Sequence, residues 1–200
     1  MGLKFSKLIV AEMPLQLMAK SFREWFEREP WSEVWRCPTC SPQDDYGARG
    51  RFANLDVCPF GTCFACITPL EPYWSEERAI RYFELLTEKP GFEGYVGKEE
   101  QGNIVAWALI YDCRGVPELQ DMPENGCYVD TFGFVDGYGQ HMLELWEWGH
   151  ATVHGLGAEY FVTRTHQNAQ YIKDALTQFG YRFLKVSESE SDREYWIYRP

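Results

Sequence analysis

Five of the chain's seven cysteines fall between positions 37 and 66, in the order Cys37-Pro-Thr-Cys40, then Cys58, then Cys63-Phe-Ala-Cys66. A C-x2-C turn points two thiolates at one centre. Two such turns about twenty residues apart close a four-sulfur shell around a zinc ion. Cys37, Cys40, Cys63 and Cys66 are therefore the expected ligands of a structural Zn2+. Cys58 with Cys63 offers a second way to complete the set, and the spacing leaves the choice among Cys58, Cys63 and Cys66 open. The intervening Ser41 to Asp56 is rich in Asp, Gly, Arg and Asn and has neither helical nor strand period, so it needs a staple in place of a core. Four thiolates leave the metal no open position, so it holds a fold together and does not catalyse. The expected organisation is one domain over 1–200 carrying a zinc-knuckle-like insertion at 37–70.

Disulfides are the competing use of these cysteines. Lys4 and Lys7 are followed by too few apolar residues for a secretory signal, which places the chain in a reducing cytoplasm and favours thiolates. A redox C-x2-C is disfavoured because no strand–helix unit flanks it. Cys113 and Cys127 sit among strand-like residues and read as packing residues.

Charge narrows the partners. Asp and Glu number 30 against 19 Lys and Arg, a net charge of -11, so the chain lacks the cationic surplus that nucleic-acid backbones require. The same balance suits a cationic or amine substrate. No apolar run reaches the roughly eighteen residues of a membrane span.

The apolar periods give the element order. Leu3 to Val10 reads as a strand, and Pro14 opens a helix with Leu15, Met18, Phe22, Trp25 and Phe26 at helical spacing. Ser75 caps a second helix that carries Ala79, Tyr82, Phe83 and Leu86 on one face and ends at Pro90-Gly91. Gly94 to Lys98 and Ile104 to Tyr111 form a hairpin, and Cys127 to Val135 is a third long strand interrupted by Gly133. After the Asp136-Gly-Tyr-Gly139 loop a helix places Met142, Leu143, Trp146, His150 and Val153 inward. A strand at Glu159 to Thr163 and a helix at Asn168 to Phe179, with Tyr171, Ile172, Ala175, Leu176 and Phe179 inward, come next. The strands Tyr181 to Val186 and Glu194 to Tyr198 then close a hairpin around the acidic, solvated tip Ser187 to Asp192. This order predicts an α/β sandwich with one central, mixed, mostly antiparallel sheet flanked by helices.

That order, with particular residues, resembles the GNAT family of N-acetyltransferases. The strand, helix and turn of Thr163-Arg-Thr-His-Gln-Asn168 and Tyr171 to Tyr181, ending Gln-Phe-Gly-Tyr, are similar to the family's C-terminal half. Ile104-Val-Ala-Trp-Ala-Leu resembles its hairpin, and Glu29-Pro-Trp-Ser-Glu-Val-Trp35, Trp74-Ser-Glu-Glu and Pro90-Gly-Phe-Glu-Gly94 resemble a branch with a Pro-Trp motif. The resemblance covers nearly everything outside Cys37 to Leu70. It implies acetyl-CoA lying in a splayed opening between the fourth and fifth strands, its pyrophosphate on backbone N–H groups of the following loop.

On this chain the strand is Asp130 to Val135 and the loop is Asp136-Gly137-Tyr138-Gly139-Gln140. The resemblance thus implies cofactor contacts at Phe134, Val135, Gly137, Tyr138, Gly139, Gln140 and Asn168, with the Phe134 N–H on the acetyl carbonyl. It implies Asp130 as the base that takes a proton from an amine acceptor, either a small molecule or a protein. The chain departs from the family pattern in three ways. The loop is shorter and carries Asp136 in place of a basic residue, Leu176 stands where a tyrosine acid is frequent, and Asn168 is one residue out of register. The alternative is an inactive GNAT-fold binding or assembly protein that uses its zinc insertion for protein interaction.

Glu99 and Glu100 read as solvated turn residues; His150 and His154, four apart on one helix, read as packing or surface residues in preference to metal ligands, and for His166, beside Asn168 at the end of the fifth strand, a place at the cofactor mouth is disfavoured. Trp31, Trp35, Tyr73 and Trp74 flank the cysteine segment, and packing of that segment is favoured over an acceptor-site wall.

Overall fold

The computed structural model describes residues 2–42, 46, 50–52 and 59–200. The chain divides into two compact units, Met1–Pro14 with Leu85–Pro200, and Leu15–Glu84. In chain order the elements are β1 (Lys4–Lys7), α1 (Leu15–Phe26), β2 (Trp35–Arg36), β3 (Arg51–Phe52), β4 (Glu71–Pro72) and α2 (Glu76–Thr87). Next come β5 (Glu93–Lys98), β6 (Ile104–Asp112), β7 (Gly126–Phe134), α3 (Met142–Gly155) and β8 (Tyr160–His166). The chain closes with α4 (Gln170–Gln178), β9 (Arg182–Val186) and β10 (Arg193–Tyr198).

The larger unit is built on a seven-stranded sheet in the order β1-β5-β6-β7-β8-β10-β9. Neighbours pair antiparallel except β7 and β8, which are parallel. Strand alternation sends Ala106, Ala108 and Ile110 of β6, Val129 of β7 and Phe161 of β8 to one face. There they meet Leu145 and Val153 of α3 and Leu176 of α4 in one apolar cluster. Trp107 of β6 points to the opposite face and is fully buried. Its ring lies so close to β7 that a Cβ at position 133 would fall 2.4 Å from it, so Gly133 is a close-approach residue inside a strand.

The smaller unit holds α1, most of α2 and the short sheet β3-β2-β4. Ser75 caps α2 by accepting from the Arg78 N–H at 3.1 Å. Phe22 of α1 packs on Trp74, Tyr82 and Phe83, with ring centroids 4.7–5.3 Å apart. Glu33 is buried and accepts from the Trp74 indole at 2.7 Å and from Arg51 at 2.9 Å. Arg78 is fully buried between Tyr46 and Tyr73, 4.6 and 4.8 Å from their rings, and donates to the Pro42 carbonyl. Trp31 stands edge-on to Trp25, while Tyr73 and Trp74 lie at the centre of the unit, as packing requires.

Several sequence expectations need correction. The first strand ends at Lys7, and a single 3-10 turn occupies Val10–Glu12. On α3 the inward residues include Leu145, while Leu143 is exposed; on α4 Tyr171 is exposed. Apolar character alone placed Leu143 and Tyr171 inward, while Trp146, Val153, Ile172, Leu176 and Phe179 do meet the core cluster. The segment Ser187 to Asp192 is not merely solvated, since Ser187 and Glu190 are buried and Glu190 pairs with Arg164 at 2.8 Å. Glu118 accepts from the Ser187 hydroxyl at 2.8 Å, the Glu188 N–H at 2.8 Å and the Ser189 N–H at 3.2 Å. Burial opposes the Glu118 charge, but these bonds and one from the Ser189 hydroxyl outweigh it and hold the carboxyl down at about 2.

Candidate functional site

Two groups of chemistry-bearing residues stand apart in the sequence, and each has its own unit. In the smaller unit the sulfurs of Cys37, Cys40, Cys63 and Cys66 lie within 4.8 Å of one another. One turn supports both knuckles: the Ser41 N–H donates to the Cys37 carbonyl at 2.8 Å, and the Ile67 N–H to that of Cys63 at 2.9 Å. The 37/66, 40/66 and 40/63 sulfur pairs are 3.4, 3.7 and 3.9 Å apart. A tetrahedral zinc with Zn–S bonds of about 2.3 Å requires sulfurs about 3.8 Å apart, so the donor set fits that ion.

Around the sulfurs, the Cys40 N–H points at the Cys37 sulfur at 3.4 Å. The Thr68 hydroxyl lies 3.2 Å from the Cys66 sulfur and 3.1 Å from the Thr39 hydroxyl. Hydrogen bonding from Thr68 pulls the Cys66 thiol down to about 6, and sharing with Cys66 pushes Cys40 up to about 12. Crowded thiols cannot all ionise unless a cation takes up their charge. Cys58, the alternative ligand, lies outside the described residues. Cys113 is fully buried in the larger unit and Cys127 is half-buried; burial raises both thiols, to about 12 and about 11.

In the larger unit, β7 and β8 share only four parallel pairs, from Gly126↔Tyr160 to Val129↔Thr163. The Thr163 hydroxyl closes this ladder by donating to the Val129 carbonyl at 3.0 Å. Beyond it Asp130–Phe134 continue along β6 alone, so the two parallel strands part at Asp130. A β-bulge falls at the same point: Leu109 opposes Thr131 and Ile110 opposes Val129, which leaves Asp130 as the extra residue. Its carboxylate accepts from the Tyr111 hydroxyl at 2.9 Å and the Thr131 hydroxyl at 2.8 Å.

Past Phe134 the chain turns through Val135 to Gln140, with Gly137 at φ +88°, and enters α3 through a 3-10 turn at Gly139–His141. Tyr138 and His141 donate their N–H groups to the Val135 and Tyr138 carbonyls. Among the described residues the N–H groups of Asp136, Gly137, Gly139 and Gln140 have no backbone acceptor, and no side chain caps α3. The Tyr138 hydroxyl donates to Glu99 at 2.5 Å, and this bond lowers the Glu99 carboxyl below its usual range. Glu99 is therefore an anchor of the loop, contrary to the solvated role read from sequence. Glu100 has no such partner among the described residues.

On the β8 side of the opening, Thr165 is buried and its hydroxyl has no partner among the described residues. Asn168 sits exposed in the turn before α4, its N–H donating to His166 Nδ1 at 3.0 Å. His150 Nδ1 donates to the Trp146 carbonyl and its Nε2 accepts from the Tyr181 hydroxyl, so this ring is neutral, and burial lowers it to about 4. His154 Nδ1 donates to the Ala158 carbonyl at 3.0 Å. Leu176 is buried, so its position supplies packing and no proton.

No protein-family model matches the sequence, and no curated protein matches it. Solved structures do. A probable GNAT acetyltransferase from Chromobacterium violaceum aligns over 100% of this chain and 88% of its own, with TM-score 0.56 and 11% identity. An IAA acetyltransferase from Bacillus cereus aligns over 99% of both chains, with TM-score 0.54 and 9% identity. A GNAT-superfamily phosphinothricin acetyltransferase from Sinorhizobium meliloti, solved in complex with AcCoA, aligns over 100% of this chain and 89% of its own, with TM-score 0.57 and 11% identity. The fold is that of the GNAT acetyltransferases.

Within this GNAT fold, Tyr111 and Thr165 were not singled out from sequence, and Glu99 was read only as a solvated turn residue. Each acts through a partner on another strand or loop, or through burial, and no local pattern encodes either. Among the described residues no helix is long and apolar enough to cross a membrane.

Proposed function

We propose that the chain is an N-acetyltransferase that moves an acetyl group from acetyl-CoA to an amine, with a structural zinc held by Cys37, Cys40, Cys63 and Cys66. The observation that carries the reading is the parting of β7 from β8 at Asp130, with loop N–H groups at the mouth of the gap. Gly137, Gly139 and their neighbours would receive the pyrophosphate, since unpaired amides at the start of a helix favour an anion. Phe134, Val135, Tyr138, Gln140 and Asn168 belong to the same cofactor surface. The buried Thr165 hydroxyl, lacking a partner among the described residues, suits an amide of the pantetheine arm.

Asp130 is the base in this reading. It accepts a proton from the substrate ammonium, directly or through a water. The freed amine nitrogen bonds the acetyl carbon as the carbon–sulfur bond breaks, and the departing thiolate is protonated to give CoA. Zinc, once bound, supplies four metal–sulfur bonds that hold two knuckles together. Thiolate ligands persist in a reducing compartment, and we place the protein in the cytoplasm.

A second reading is favoured by Phe60, Phe64 and Ile67, which are 100%, 64% and 78% exposed on the second knuckle. An inactive GNAT-fold assembly protein that presents this apolar knuckle to a partner would account for them. The two readings part in one assay. With acetyl-CoA and a panel of primary amines, the transferase reading expects free thiol to appear in proportion to enzyme and amine. Thiol release no faster than without enzyme, across the panel, supports the assembly reading.

A further inference from the structure

We infer that the apolar cavity beneath α3 receives the tail of the acyl group, and that the preferred donor is one carbon longer than acetyl, a propionyl thioester. This inference rests on the transferase reading and narrows its substrate. The starting point is Gly149. It lies on α3 four residues from Leu145 and four from Val153, both buried, so it belongs to the stripe that faces the sheet. Glycine inside a helix is unfavourable, and close packing is its usual justification. Here a Cβ at position 149 would meet no heavy atom within 4 Å. The glycine faces open space, and it borders a cavity of about 20 Å3.

The lining identifies the occupant. Val129, Phe132, Leu145, Phe161 and Val153 surround the space. His150 also borders it, but both ring nitrogens are engaged, by the Trp146 carbonyl and the Tyr181 hydroxyl. A buried water needs two to four polar partners, and these walls offer one, the indole N–H of Trp146, whereas the volume suits about one or two carbon atoms. The place matches as well. Val129 is the last β7 residue paired with β8, and Phe132 lies in the segment that has parted from it. The cavity therefore sits under the apex of the opening where the thioester is proposed to lie. One added methylene fits, and a long chain does not.

Calorimetric titration of the full chain with CoA, acetyl-CoA, propionyl-CoA and hexanoyl-CoA tests this. Propionyl-CoA is expected to bind about fourfold more tightly than acetyl-CoA, the worth of one buried methylene, with hexanoyl-CoA weaker than both. In Gly149→Ala the added methyl takes the space, so the propionyl preference disappears while affinity for CoA, which has no acyl tail, is kept. Equal affinities for acetyl- and propionyl-CoA in the unaltered chain, or a propionyl preference that survives in Gly149→Ala, would overturn the inference and leave the cavity a packing defect. Failure of CoA and every acyl-CoA to bind would instead remove the transferase reading, and this inference with it.

Discussion

Cys37→Ser is expected to release zinc and to lower the melting temperature by roughly 10 °C or more. Cys37 is fully buried, and its N–H donates to the Gly50 carbonyl while its carbonyl receives the Ser41 N–H. The knuckle is thus organised around that residue. Removing one of four thiolates forfeits much of a binding energy that is also folding energy. Among the described residues, the segment it staples has only the two-residue strands β2, β3 and β4 and a 3-10 turn at Pro59–Gly61 for regular structure. In a chain of 200 residues each kcal/mol lost shifts the midpoint by about 2–4 °C, so a loss of several kcal/mol gives the stated drop. Metal content by mass spectrometry and melting by circular dichroism measure the two effects together. Cys113→Ser is the control: it perturbs a buried thiol of the larger unit and should retain the metal. Unchanged zinc content and melting in Cys37→Ser would refute the metal site.

The second large effect is on rate. Asp130→Asn should reduce turnover by about 10²–10⁴, the usual worth of a positioned general base, and leave acetyl-CoA affinity unchanged. The bulge that makes Asp130 the extra residue of β7 also sets it at the point where β8 departs. Its two hydroxyl donors, from Tyr111 and Thr131, fix both carboxylate oxygens. Asparagine keeps the shape and one acceptor but cannot take up a proton. Tyr111→Phe removes one positioning bond and should cost less, about tenfold. Steady-state thiol release separates the two: the asparagine variant loses most of kcat with the KM for acetyl-CoA kept, and the phenylalanine variant retains the larger part of kcat. An asparagine variant with full activity would exclude Asp130 as the base.

The parts of the molecule legible from sequence are those written in local patterns. The paired C-x2-C turns specify a four-sulfur cluster because each turn is fixed by nearest neighbours, and the structure brings those four sulfurs together. The strand and helix order followed from period and capping, as Ser75 shows at α2. The parallel β7–β8 pair and its parting at Asp130 were implied only through the family resemblance, since nothing local in either strand announces where a ladder stops.

Tertiary context decided the rest. On α3 Trp146, His150 and Val153 fall inward as their spacing predicts, but Leu143 is exposed and Leu145 buried, since the two are equally apolar in sequence and packing alone chooses between them. Glu118 binding the Ser187 to Glu190 turn joins residues far apart in the chain. Glu99 was read as a solvated turn residue because its partner, Tyr138, lies on a separate loop.

The short Val135 to Gln140 loop is proposed to hold a nucleotide thioester despite Asp136. Isothermal titration of the zinc-replete chain with acetyl-CoA measures this without any acceptor. Saturable binding at one site with micromolar affinity is expected. No binding up to millimolar acetyl-CoA would contradict it and leave the GNAT fold as a scaffold for the cysteine knuckles.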